Sequence, residues 1–584
     1  MKSKIYLTRR AFLASLMATA LGLGACGGDG GNDSNNNVVT PAAAPLSAGA
    51  VASSDPYSAE AAQTILKAGG NAVDAAVATA LVLAVTYPEA GNLGGGGFMN
   101  IYFDKKPYFV DYREVAPAAA TSTMYTQYKD TSGKQDPNSS LRGAQAVAVP
   151  GTVRGLWEAH QKFGKLAWKD VVAPAIALAQ NGHTVSQGQV FWRDWSENLF
   201  KGLPYPTNVM EYYGAMQVGK NFQQPELADT LTRIAQGGPD EFYKGKTADL
   251  IVASMKQDGG AGFITKDDLA NYKAVWREPL QFNWNGMTVL TAPPPSSGGI
   301  ALAQLLGMKQ VLANTLFAGE SPNTAQYVHL NAEMMKRVYA DRAEYLGDPG
   351  FTNVPVTGLL DPDYIQRRAM EVNPTAITPT ADAKPGTPKM HTTHFSVVDK
   401  WGNAVSNTYT LNMPYGSGVV VRGAGFALND EMDDFATIPG QPNIFGVVGA
   451  DANAVAPGKR PLSSMTPTIL VKDGLPTMVI GTPGGTRIFT AVYQVLANVY
   501  DYKMDLGKAV ANRRFHHQLP QGGVIEGEPF SPIPQDLSQQ LVARGYTVTT
   551  NSFDTDIQAI QIAGGDPMPV SDPRARGHSI VVKP

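Results

Sequence analysis

Cysteine is nearly absent: the 584 residues contain one, Cys26. This excludes an internal disulfide framework and any zinc site built on several thiolates. Excess charge is missing too, with Lys and Arg totalling 47 against 50 for Asp and Glu and a net charge of -3. The chain therefore offers no basic stripe of the kind a phosphate backbone requires, and nucleic acid is not an expected partner. No apolar run reaches the twenty or so residues needed to span a bilayer. The eight histidines form no HExxH pattern, no GxSxG elbow is present, and no fixed-period repeat is visible. No metal and no cofactor are expected. What remains is 43% hydrophobic composition over a length that can bury a large core.

The N-terminus reads as an address. Thr8-Arg9-Arg10-Ala11-Phe12-Leu13 matches the twin-arginine export pattern, and an apolar stretch from Ala14 to Ala25 follows it. That stretch ends in Leu23-Gly24-Ala25-Cys26, which resembles a bacterial lipobox with Cys26 as the lipidated mature N-terminus. Residues 1–26 are thus assigned as signal and residues 27–48, rich in Gly, Asn, Ser, Asp, Ala and Pro, as a flexible tether. The expected location is the bacterial periplasm or cell envelope.

Beyond residue 48, Ala59 to Val85 predicts two packed helices broken at Gly69-Gly70. The glycine run Gly91 to Gly97 predicts close backbone packing ahead of a strand over Met99 to Val110. Amphipathic helical stretches follow, among them Trp168 to Gln180 and Ala325 to Leu346. From Thr392 onward strands are predicted at Phe395–Asp399, Ala404–Leu411, Thr468–Lys472, Thr477–Ile480 and Ser579–Lys583, with helices near Arg487–Val499 and Leu506–Arg513. Helix-rich and strand-rich halves sharing one core predict a layered α/β (α+β) architecture.

The chemistry concentrates at His391-Thr392-Thr393-His394-Phe395, preceded by a Pro, Gly and Lys rich segment from Pro385 to Met390. Together with Asp111-Tyr112-Arg113-Glu114, Val149-Pro150-Gly151-Thr152, Pro295-Ser296-Ser297-Gly298-Gly299, Pro461-Leu462-Ser463-Ser464-Met465 and Pro483-Gly484-Gly485, this stretch resembles the γ-glutamyltranspeptidase family. The resemblance runs along essentially the whole mature chain. It implies the four-layer αββα sandwich of N-terminal nucleophile hydrolases and autocatalytic cleavage between His391 and Thr392. Residues 49–391 would form a large subunit and 392–584 a small catalytic one, held as a heterodimer.

By that resemblance Thr392 is the nucleophile, Thr410 orients it, and the amides of Gly484 and Gly485 stabilise the oxyanion. A threonine hydroxyl needs a base, and the amine freed by cleavage on the same residue can serve, with an ordinary α-amino pKa near 8. Arg113, Ser463 and Ser464 match the family positions that bind the substrate α-carboxylate. Asn412, Glu431 and Asp434 match those that hold the α-ammonium, so cation and anions are expected to be held apart. Residues 439–461 resemble a lid, with Phe445 where many bacterial members carry tyrosine. The implied activity is transfer of a γ-glutamyl group from glutathione or a related compound to water, amino acids or peptides. A cephalosporin or glutaryl acylase of the same fold is the alternative within the enzyme class, and an inactive tethered binding protein the alternative outside it.

Overall fold

The computed structural model describes residues 46–380, 391–437, 451–519, 522–551 and 555–583. Cys26, the signal, most of the tether, Pro385 to Met390 and Phe445 lie outside those residues. Leu46 and Ala48 are buried, and the Ser47 amide donates to the Gly565 carbonyl at 3.0 Å. The last three residues assigned to the tether therefore belong to the folded body.

Thirteen strands build two large sheets. In chain order they are β1 (Gly49–Ser53), β2 (Gly96–Phe103), β3 (Lys106–Asp111), β4 (Val275–Arg277), β5 (Leu280–Trp284), β6 (Met287–Thr291), β7 (His391–Val398), β8 (Ala404–Asn412), β9 (Thr468–Lys472), β10 (Leu475–Gly481), β11 (Gln558–Ala563), β12 (Asp566–Ser571) and β13 (His578–Val582). The first sheet runs β13-β1-β7-β8-β2-β3-β4 and the second β12-β11-β10-β9-β6-β5. Leu290, Val398, Ile469, Val479 and Ile560 pack in one apolar cluster between them. Helices Ala72–Thr86, Thr152–Phe163 and Trp168–Asn181 cover the outer face of the first sheet, and Gly298–Leu312, Ala325–Tyr345 and Arg487–Tyr500 that of the second. The result is the expected four-layer αββα sandwich.

Local chemistry explains these elements. Helix Ala72–Thr86 is apolar all round, and all fifteen residues are buried. The Asn71 side chain accepts from the amides of Val73 and Asp74, while Asp74 returns a bond to the Asn71 amide, forming a capping box. The residues predicted as one strand from Met99 to Val110 form instead the β2–β3 hairpin. Asp104 and Lys105 both take positive φ, 48° and 59°, the conformation a two-residue hairpin turn requires. Asp-Lys is an uncommon sequence for such a turn, so the break was not evident from composition. The glycine run does pack backbone against backbone: a Cβ on Gly95 would lie 2.0 Å from the Thr410 carbonyl oxygen.

Both parts of the chain contribute to both sheets. In the first sheet β7 is bonded to β1 on one side and to β8 on the other, and β8 pairs in turn with β2. Polar ties cross the layers as well. Asp399, in the turn after β7, accepts from the Ala72 amide at 3.0 Å, from Trp401 N at 2.9 Å, and from Asn403 N and Nδ2 at 3.0 and 2.8 Å. Asp399→Ala leaves those donors unsatisfied at a buried junction and is expected to cost about 3 kcal/mol. A thermal midpoint equal to that of the native protein would contradict this role.

Candidate functional site

Thr392 occupies the second position of β7 and is 4% exposed. Its partner strand is irregular at this point. Thr393 opposes Tyr409 and His391 opposes Asn412, so Thr410 and Leu411 together face Thr392 across a β-bulge. A bulge bends the strand and re-aims side chains, and Asn412 absorbs the distortion with φ of +79°. The Asn412 amide donates to Thr410 Oγ1 at 2.8 Å, fixing that hydroxyl beside the nucleophile candidate. The Thr392 hydroxyl is buried with no hydrogen-bond partner among the described residues.

The Pro483-Gly484-Gly485 turn links β10 to helix Arg487–Tyr500. Gly484 and Gly485 take φ of +120° and +63°, values that disfavour any residue with a Cβ. Pro483 lines the same cavity as Thr392, which places this turn at the nucleophile candidate. His394, two residues beyond Thr392, is buried between Thr408 Oγ1 at 2.8 Å and Ser396 Oγ at 3.1 Å. Burial holds its pKa down to about 3, so it is a neutral structural imidazole. His516 and His517 are likewise buried and held down, to about 3 and about 4.

Arg113 lies just after β3, wholly buried, among three carboxylates. Its Nη1 is 2.8 Å from Glu431 and 3.8 Å from Glu114, and its Nη2 pairs closely with Asp434. The expectation that cation and anions stand apart is therefore corrected: they are in direct contact. Isolated buried charges are costly, so the groups neutralise one another. The set remains short of positive charge, with three acids around the Arg113 guanidinium and only Asp434 also feeling Arg342. Burial, opposed by Arg113, raises Glu431 well above the usual carboxylate range, raises Asp434, and pushes Glu114 up to about 8.

A dense backbone framework holds this cluster. The Asn429 side chain donates to the carbonyls of Gly94 and Ala148 at 2.7 and 2.8 Å and accepts from the Glu431 amide at 3.1 Å. Asn412 Nδ2 donates to the Asp430 carbonyl at 3.0 Å, and its buried Oδ1 has no donor among the described residues. Ser463 and Ser464 are fully buried beside Ser297, which donates to the Ser463 carbonyl at 2.7 Å.

Arg342, Glu114 and Asn453 are participants that the sequence did not single out as site residues. Arg342 donates to Ser297 Oγ at 3.0 Å and to Ser464 Oγ at 3.3 Å, and its charge reaches Asp434. Asn453, in the described part of the lid segment, donates to the Asp434 carbonyl at 2.6 Å and accepts from the Leu462 amide at 3.1 Å. Arg342 lies in the last turn of helix Ala325–Tyr345, where nothing in local sequence separates it from ordinary surface arginines.

A pH dependence follows from Glu114. Its pKa is raised from 4.5 to about 8, so between those values the folded protein binds more protons than the unfolded chain. The stabilisation this proton provides is complete below pH 4.5 and is lost as pH rises toward 8. Glu114→Gln removes the term, so the thermal midpoint of the variant relative to the native protein is expected to climb between pH 5 and 8. Parallel midpoint curves across that range would contradict the assignment.

Comparison with known proteins places this geometry in a family. The family model described as Gamma-glutamyltranspeptidase matches residues 58–582. A glutathione hydrolase proenzyme of Pseudomonas aeruginosa is 58% identical over 543 residues, covering 93% of this chain and 96% of its own. A second glutathione hydrolase proenzyme, from Escherichia coli strain K12, is 43% identical over 538 residues and 90% of each chain. Among solved structures, the cephalosporin acylase from Bacillus halodurans superposes with a TM-score of 0.79 at 29% identity, covering 92% of this chain and 96% of that one. With the family match running almost from end to end, and a relative more than half identical over nearly its full length, this chain belongs to the gamma-glutamyltranspeptidase family.

Proposed function

We propose that this protein is a γ-glutamyltransferase and glutathione hydrolase that matures by cutting itself between His391 and Thr392. Residues 49–391 then form the large subunit and 392–584 the small one. The observation that carries the reading is the buried Thr392 hydroxyl, without a hydrogen-bond partner among the described residues, set against a bulge that presents Thr410. During maturation Thr392 Oγ attacks the carbonyl of His391, the bond from that carbonyl to the Thr392 nitrogen breaks to leave an ester, and water hydrolyses the ester, leaving a carboxylate on His391 and a free amine and hydroxyl on Thr392. The freed α-amine then serves as base for the same hydroxyl, which attacks the γ-carbonyl of the substrate. The Gly484 and Gly485 amides receive the oxyanion, a role whose removal costs roughly 10²–10³ in rate in other hydrolases.

The Arg113 cluster supports a zwitterionic amino-acid end on the substrate. A γ-glutamyl group brings one carboxylate and one ammonium, so it inserts into the ion pairs without changing their total charge. Arg113, with Ser463 and Ser464, takes the carboxylate, and Glu431, Asp434 and Asn412 take the ammonium. A glutaryl group has no ammonium to relieve the surplus of carboxylates, which favours the γ-glutamyl reading over the acylase one. The higher identity to glutathione hydrolase proenzymes than to the cephalosporin acylase agrees.

Export and a lipid anchor at Cys26, with a short tether, are part of the proposal and rest on residues 1–45 of the sequence. No helix among the described residues is long and apolar enough to cross a membrane. Purified protein is expected to release a chromogenic amine from a γ-glutamyl anilide, faster with glycylglycine present, while Thr392→Ala releases none and stays a single chain. Folded, cleaved protein that leaves the anilide intact would overturn the substrate assignment.

A further inference from the structure

A net charge of -3, from 47 cations and 50 anions, says nothing of where they gather in the fold. The antiparallel ladders of the first sheet bring one set of chain positions to a common end. Gly49 opposes Val582, Ala50 and Ala404 both oppose Val398, Ala404 also opposes Tyr102, and Phe103 opposes Lys106. The start of β1, the end of β13, the β7–β8 turn and the β2–β3 turn therefore lie side by side. The Asp104 amide ties the two turns together by donating to Asn403 Oδ1 at 2.9 Å. Thr392 stands near the other end of β7, about 20 Å from Val398 at the usual rise of a strand.

Each of these features carries exposed lysine. Lys105 and Lys106 lie in the β2–β3 hairpin, Lys400 in the β7–β8 turn, and Lys583 just after β13. Lys165, in the loop after helix Thr152–Phe163, joins them. Its amide donates to both oxygens of Asp74 at 3.0 Å, and its ammonium stands over the Trp401 ring, 4.5 Å from the centre. The Lys400 ammonium is 5.3 Å from the same centre. Trp401 is 45% exposed beside them. The opposing charge is small. Asp104 belongs to the same hairpin and Asp566 to the neighbouring β11–β12 turn, where the Gly565 carbonyl accepts from Ser47. The β9–β10 turn, tied on by the Tyr102 hydroxyl donating to the Gly474 carbonyl at 3.2 Å, adds Lys472 and Asp473, one of each sign. Among the described residues of these strand ends, turns and the Lys165 loop, six exposed lysines thus face three exposed aspartates.

Lysines gathered around an exposed indole match a bilayer surface with anionic headgroups. Each lysine near such a surface contributes about 1 kcal/mol, and tryptophan settles at the headgroup level. The chain itself points to this occupant. Residues 1–45, which carry the proposed anchor at Cys26, join the folded body at Leu46, three positions before Gly49 and at this same end. One acyl chain gives marginal attachment, and a basic patch beside it is the second signal that makes attachment stable. Resting on the export and anchor reading above, we propose that this end of the first sheet docks on an anionic phospholipid surface. Trp401 enters the headgroup layer, and Lys105, Lys106, Lys165 and Lys400 pair with the phosphates. Docked in this way, the Thr392 end of β7 points away from the bilayer, and substrate reaches it from solvent.

The test is sedimentation with vesicles of phosphatidylcholine and phosphatidylglycerol in equal parts, set against phosphatidylcholine alone. It uses the mature chain from residue 26 with Cys26→Ala, so that no acyl chain contributes. Binding to the anionic vesicles is expected to be at least tenfold tighter than to the neutral ones, and to weaken at least tenfold between about 0.05 and about 0.5 M salt. Lys106→Glu, Lys165→Glu and Lys400→Glu together are expected to weaken it at least tenfold, the same three lysines changed to Gln about threefold, and Trp401→Ala about threefold. All these variants are expected to keep the thermal midpoint and the donor turnover of the unsubstituted chain, because the altered side chains are exposed and far from Thr392. Equal sedimentation with the two lipid mixtures, or binding that the charge reversals leave unchanged, would overturn the docking surface. Soluble polyphosphate bound as tightly as the anionic vesicles, with Trp401→Ala without effect, would overturn the lipid as its partner. Incorporation of a labelled fatty acid at Cys26 in cells tests the anchor separately; its absence would remove the anchor reading, and the vesicle result, obtained without an acyl chain, still decides the docking.

Discussion

The first sheet places β7 between β1 and β8, with ladder hydrogen bonds on both sides, and everything proposed for Thr392 depends on that placement. A nucleophile created by breaking its own backbone must keep its position after the break. Here the strand is gripped by a neighbour from the N-terminal part of the chain and by one from the C-terminal part, and its outer face packs on helix Ala72–Thr86. Both sheets contain strands from both sides of residue 392. Cutting before Thr392 therefore divides the polypeptide without dividing the core, and two fragments would stay joined by buried apolar surface on the scale of a domain interior.

A second constraint is the cost of burying charge. Around Arg113, and again around Arg576, the structure collects more carboxylates than cations in places closed to solvent. Such clusters raise carboxyl pKa values and reward any ligand that brings positive charge. The same excess is a stability cost, which proteins commonly accept where a ligand is bound.

Much of the fold was legible in the sequence because its signals were local. Helix Ala72–Thr86 and its neighbour declare themselves through an apolar run broken at Gly69-Gly70, and Thr468–Lys472 through β-branched residues. The β2–β3 hairpin was missed because Asp104-Lys105 carries no glycine or asparagine to mark the turn. The candidate site could be proposed only through resemblance: Thr392, Arg113, Ser463 and Gly484 stand far apart along the chain, and no periodicity joins them. The direct pairing of Arg113 with Glu431 and Asp434 could not be read at all, since it arises from the desolvation of groups more than 300 positions apart. Arg342 and Asn453 escaped for the same reason, each being ordinary in its local sequence and distinctive only by its neighbours.

The central claim is that the hydroxyl carrying the acyl group belongs to a residue with a free amine. Intact-mass analysis of native, active protein, coupled to trapping of the acyl-enzyme with a slow γ-glutamyl donor, measures both at once. The account requires two co-eluting polypeptides, the smaller beginning at Thr392 and gaining the mass of one γ-glutamyl group on its first residue. An active protein with the His391–Thr392 bond intact, or with the added mass on another residue, would contradict it.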